Sequence, residues 1–147
     1  MTLDDETREA ISRMPTPPFI MDEWEGLADS LARKFEWKGS KIDWAKCKNH
    51  SYRQLTGTYE NWIRLIGDFI KSGLIEHAVL AGDIFYMNDS SLDFAVRVRP
   101  EQFYDFMSFA VLNIPQHHYF FDETMAWCLV ISAEGYVDFG ISIESSN

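Results

Sequence analysis

The chain has 147 residues, of which 46% are hydrophobic and 15% aromatic, and its formal net charge is −10. A chain of this size and apolar content closes a real core, which excludes disorder as the main state. The acidic balance argues against direct nucleic-acid binding, because phosphate backbones demand Lys and Arg.

No apolar run approaches the ~20 residues of a membrane span. The opening residues carry neither the basic nor the apolar region of a secretory signal. Cys47 and Cys128 are too few for a disulfide scaffold. The expectation is a cytoplasmic protein without membrane contact. One domain covers 1–147, with 1–18 a candidate for a loosely attached N-terminal segment.

Charge is uneven along the chain: residues 1–36 carry net −5, residues 37–72 net +4, and residues 73–147 net −9. The first half reads as helical. Leu3 to Arg13 is a short acidic helix with few apolar anchors, and Pro15-Thr16-Pro17-Pro18 then breaks the chain. Asp22 with Glu25 forms a variant capping box. Behind it, Trp24, Leu27, Ala28, Leu31, Ala32 and Phe35 share one helical face. A second helix starts at a Thr58 cap, buries Trp62, Ile63, Ile66, Phe69 and Ile70, and stops at Gly73. Between them, Trp37 to Gly57 reads as irregular or as containing one short helix.

The second half changes period. Leu92, Phe94, Val96 and Val98 alternate with polar or small residues, as a half-buried strand does, and Ile84 to Met87 is its partner. Pro100 suits the first turn of a helix whose buried face is Phe103, Phe106, Met107, Ala110 and Val111. His118 to Phe121 is a candidate further strand. Met125 to Ser132 and Tyr136 to Ile143 form a hairpin around Ala133-Glu134-Gly135, with Gly135 in the left-handed last place. That loop sets Ser132 opposite Tyr136, Val130 opposite Asp138 and Cys128 opposite Gly140. The fold class is α+β: N-terminal helices, then an antiparallel sheet of two hairpins separated by a helix, with helices packed on one face.

Catalytic patterns are weak. His117 and His118 are adjacent, so in a strand they point to opposite faces and cannot chelate together; no metal ligands are assigned. Cys47 lies near His50 between two lysines, but no third residue orients the pair. Glycine-rich phosphate loops and a nucleophile elbow are missing. The expectation is no enzyme, no catalytic residue and no cofactor. The segment from Trp37 to Arg53 interleaves Trp37, Trp44 and Tyr52 with five bases. It is read as balancing an acidic neighbour or partner.

The acidic, aromatic-rich ending HHYFFDETMAWCLVISAEGYVDFG (His117 to Gly140) closes a small α+β chain without catalytic motifs. In this profile the chain resembles the immunity proteins of bacterial toxin systems, including contact-dependent growth inhibition. The resemblance implies a binding protein that neutralises a cognate toxin domain with a basic surface, such as a nuclease, by covering its active site. It carries no residue roles. The hairpin register makes Asp138 and Tyr136 expected partner-binding residues, with Glu134 at the turn and Asp93 on the other hairpin, and Asp122 and Glu123 complete the expected set. Ala126, Cys128, Gly140 and Ser142 are expected to leave that sheet face low and accessible. The alternative is a small-molecule binding or sensing domain, with a pocket between sheet and helices lined by Trp24, Trp62 or Trp127.

Overall fold

The computed structural model describes residues 1–143. In chain order its first half runs α1 (Leu3–Ser12), β1 (Phe19–Met21), α2 (Glu25–Lys34), β2 (Trp37–Lys38), β3 (Lys41–Ile42), a 3-10 turn at Trp44–Lys46, β4 (Lys48–Gln54) and α3 (Tyr59–Lys71). The second half runs α4 (Ile75–Val79), β5 (Ile84–Asn88), β6 (Ala95–Val98), α5 (Phe103–Asn113), β7 (His118–Asp122), β8 (Trp127–Ser132) and β9 (Tyr136–Ile141).

Several elements follow directly from local chemistry. The Thr58 hydroxyl accepts from the Asn61 backbone N–H at 3.3 Å and starts α3, satisfying one of the donors a helix end leaves unpaired. All five residues expected on the buried face of α5 are buried. The β8–β9 hairpin has the expected register, Ser132 with Tyr136, Val130 with Asp138 and Cys128 with Gly140. Gly135 turns it at φ +96. Ile84–Met87 pairs with the strand that follows it, Ile84 opposite Val98.

The mixed α+β class holds, but the sheet is larger than expected. Among the described residues seven strands form one antiparallel sheet in the order β1-β6-β5-β7-β8-β9-β4. β7 joins the two hairpins, and both edges come from the first half of the chain. Trp37 to Gly57 does contain one short helix, the 3-10 turn at Trp44–Lys46, but it is not otherwise irregular: it also holds the small β2–β3 hairpin and the edge strand β4. Lys48–Gln54 shows no apolar alternation because an edge strand is held by backbone bonds to β9 and needs no buried face.

Helices are not confined to one face. Against the first face pack α1, α3, α4 and α5, where Ile11, Ile66, Ile70, Val79, Phe103 and Phe106 meet Phe120, Leu129 and Val137. Ile11 is fully buried there. Against the second face pack α2 and the β2–β3 hairpin, where Leu31, Phe35 and Ile42 meet Phe85, Phe121, Cys128 and Val130. The reason is visible in the strands: Phe85, Tyr119 and Phe121 alternate with residues of the first face, so both faces are apolar near the sheet centre. Each such side chain, fully buried, contributes about 1.5–3 kcal/mol. One layer of helices cannot cover both sides.

The start of α2 also differs. Its N-cap is Trp24, whose side chain makes no capping bond to the helix, and Asp22 instead pairs with Arg8 of α1 at 2.6 Å. An arginine offers a charge-assisted bond, stronger than a neutral cap. Among the described residues no helix is long and apolar enough to cross a membrane.

Candidate functional site

The second sheet face is covered over its centre but open at one corner. The pairings Tyr119–Val130, Val130–Asp138 and Asp138–Tyr52 place four residues of β7, β8, β9 and β4 in one row across the sheet. Such direct neighbours lie roughly 5 Å apart, so their side chains share a surface. Ser132 and Tyr136 form the next pair toward the β8–β9 turn. Ile42 and Trp44 wall the opposite end, and the result is a cleft of about 330 Å³.

The rest of this face is not low and accessible, contrary to the expectation from its small side chains. Cys128, Gly140 and Ser142 are all buried. The Trp44 ring and Cys47 lie directly on Gly140, and the Ser142 hydroxyl donates to the Lys34 carbonyl at 2.9 Å. Small residues here make room for a lid, not for a partner.

Aromatic rings line the cleft. The His50 ring stacks on Trp44 with centroids 5.0 Å apart and on Tyr52 at 5.7 Å. Tyr52 and Tyr136 are tilted at 6.5 Å, and both are exposed, at 65% and 39%. Asp138 sits between them and the sheet interior. Its Oδ1 lies 2.7 Å from His50 Nε2. Burial raises the Asp138 carboxyl above the usual carboxylate range, and His50 and Lys41 offset part of that rise. At the mouth, the Lys41 ammonium of the β2–β3 hairpin pairs with Glu134 of the β8–β9 turn. That hydrogen bond holds the Glu134 carboxyl below its ordinary range.

The basic segment thus meets the acidic hairpin within one molecule, through Lys41–Glu134 and His50–Asp138.

Of the six residues expected to bind a partner, three come together in the cleft: Asp138, Tyr136 and Glu134. Asp93 does not join them. It precedes β6, four strand spacings from β9, or about 19 Å. There its carboxylate accepts from the Trp24 indole at 2.8 Å and its N–H donates to Asp4. Asp122 folds onto its own turn, accepting from the Ala126 N–H at 2.9 Å and from the Thr124 hydroxyl. Glu123 is exposed in that turn.

The tryptophans of the alternative pocket are also elsewhere. Trp127 is 4% exposed and stacks on Phe139 in the core. Trp62 packs edge-to-face on Tyr59 beside a separate cavity of about 250 Å³. The cleft's walls are Trp44, His50, Tyr52 and Tyr119, which sequence reasoning did not assign to a site. The signal present in sequence was the interleaving of Trp44 and Tyr52 with bases.

Of the candidate catalytic groups, His50 is engaged with Asp138 in the cleft, and Cys47 is not an activated thiol. Burial, with Asp43 nearby, pushes the Cys47 thiol up to about 11, the reverse of nucleophile activation. His117 and His118 point to opposite faces: His117 lines the cleft and accepts from the Ala133 N–H, whereas His118 is buried against Tyr86. Among the described residues no group of three or more His, Cys, Asp or Glu side chains is arranged to hold a metal ion. No protein-family model matches the chain, and no curated protein matches it.

Proposed function

We propose that this chain is a non-enzymatic binding protein of the immunity type, which neutralises a cognate bacterial toxin domain by covering its basic active-site surface. The observation that supports this reading is the cleft itself. Asp138, Glu134, Tyr52 and Tyr136 converge there on an otherwise covered face, in a chain of net charge −10. Aromatic faces and carboxylates together favour cationic partners, and complementary charge speeds their association. The acids outside the cleft supply the long-range field.

The test mixes the purified chain with the toxin domain encoded beside it and measures that domain's activity. A 1:1 complex with inhibition in step with occupancy is expected, and association should slow with rising salt. Full toxin activity at saturation overturns the reading. A second reading, a small-molecule sensing domain, is favoured by one observation: about 330 Å³ lies within the usual size range of ligand pockets. Its pocket would lie between the sheet and the β2–β3 hairpin, not between sheet and helices.

A further inference from the structure

The cleft has one acidic group that its own neighbours leave half used. Asp138 lies on the row that connects Tyr52 to Val130, and His50 is its only hydrogen-bond partner among the described residues, through Oδ1. Its side chain is 16% exposed and lines the cavity. A carboxylate oxygen in that position gains most from a charged donor, because charge-assisted bonds strengthen as water is excluded.

The groups above it are flat and aromatic. Tyr52, the β4 partner of Asp138, and Tyr136, two residues before Asp138 on β9, are exposed and tilted at 54° to each other. Lys41 at the mouth is bonded to Glu134 and acts on Asp138 only through its charge.

From this arrangement we propose that the cleft is a binding site for one planar cation, the guanidinium of an arginine side chain. It stacks on the exposed Tyr52 ring, meets the inclined Tyr136 ring at its side, and donates to the free oxygen of Asp138. A guanidinium fits better than an ammonium because it is planar, stacks on ring faces and is weakly hydrated. This deepens the reading of the chain as a toxin-neutralising protein, and rests on it for the source of the arginine: a basic loop of the partner.

The experiment uses the purified chain alone with two small probes, Nα-acetyl-arginine methylamide and its citrulline counterpart, which keeps the shape and loses the charge. Binding is followed by amide and indole chemical shifts. The arginine probe is expected to shift the Trp44 indole and the amides of Tyr52, Tyr136 and Asp138. The citrulline probe should bind at least about tenfold more weakly.

Asp138→Asn, nearly isosteric and still able to accept from His50, should weaken the arginine probe about tenfold and leave the citrulline probe unchanged. Tyr52→Ala, at an exposed position, should weaken the arginine probe as well. Equal binding of the two probes, amide shifts confined to α1 and α2, or no saturable shift overturns the proposal. Probe binding without toxin inhibition overturns the proposed function alone, and inhibition without probe binding removes only the cleft's ligand.

Discussion

Gly140 and Trp44 are in such close contact that a methyl group on the glycine would lie 2.9 Å from Cζ3 of the indole. The same methyl would meet the Cys47 Cβ at 3.0 Å. This contact seats the 3-10 turn that walls the cleft onto the β8–β9 hairpin.

Gly140→Ala should therefore destabilise the protein by about 1–3 kcal/mol, as overpacking of a tight contact does. It should also displace Trp44 and change its fluorescence. Urea unfolding with tryptophan emission reads both effects. An unchanged midpoint and spectrum would mean that Trp44 does not rest on this glycine.

At the hairpin turn, Gly135→Val should cost roughly 1–3 kcal/mol. Its φ of +96 strains any L side chain, and a Cβ would sit 3.2 Å from the Leu55 carbonyl oxygen. The same residue accepts from the Leu55 N–H at 2.7 Å, so the loss reaches the chain leaving β4 as well as the turn. Thermal unfolding of the variant checks this, and an unaltered midpoint would contradict it.

Acid should weaken the fold through His118. Burial, with His117 adding to it, pulls this imidazole down to about 4 from its ordinary 6.5. Its Nδ1 lies 2.7 Å from the Tyr86 hydroxyl, which can donate only to the neutral ring. The folded state thus binds the proton less readily than the unfolded chain. The stabilisation is complete above about 6.5 and is lost as the pH falls toward about 4, by up to about 3 kcal/mol. Unfolding free energies at pH 7 and pH 4.5 should differ less for His118→Gln than for the native chain. An equal difference would remove His118 as the source.

Arg8 ties α1 to the sheet. Its guanidinium pairs with Asp4 and Asp22 at 2.6 Å each, donates to the Asp93 carbonyl at 3.1 Å, and lies 4.6 Å from the Phe94 ring centroid. A lysine cannot serve these partners at once, since it is a point charge without the planar fork. Arg8→Lys should lower stability by about 1–2 kcal/mol despite the kept charge. Chemical denaturation of the variant measures it; equal stability would show that charge alone suffices.

What the sequence determined by itself was local. The register of β8–β9 followed from a three-residue turn ending in Gly135, and the buried stripe of α5 from its spacing. The Thr58 cap and the β5–β6 pairing were legible for the same reason, because each depends on residues close together in the chain. Half of the expected partner-binding set, Asp138, Tyr136 and Glu134, shares one cleft because it belongs to that one hairpin.

The tertiary structure decided what non-local pairing creates. β4 carries no burial pattern, and only its bonds to β9 make Lys48–Gln54 a strand. His50 meets Asp138 across 88 positions of chain, a distance no periodicity reports. α2 has an ordinary amphipathic face, which is compatible with either side of the sheet. Its side was settled by Phe85 and Phe121, which left the second face too apolar to stay open. Small residues at Cys128 and Gly140 have the same sequence signature whether they leave a surface bare or admit a tryptophan. Here they admit Trp44, and the cleft is the part of that face its lid leaves uncovered.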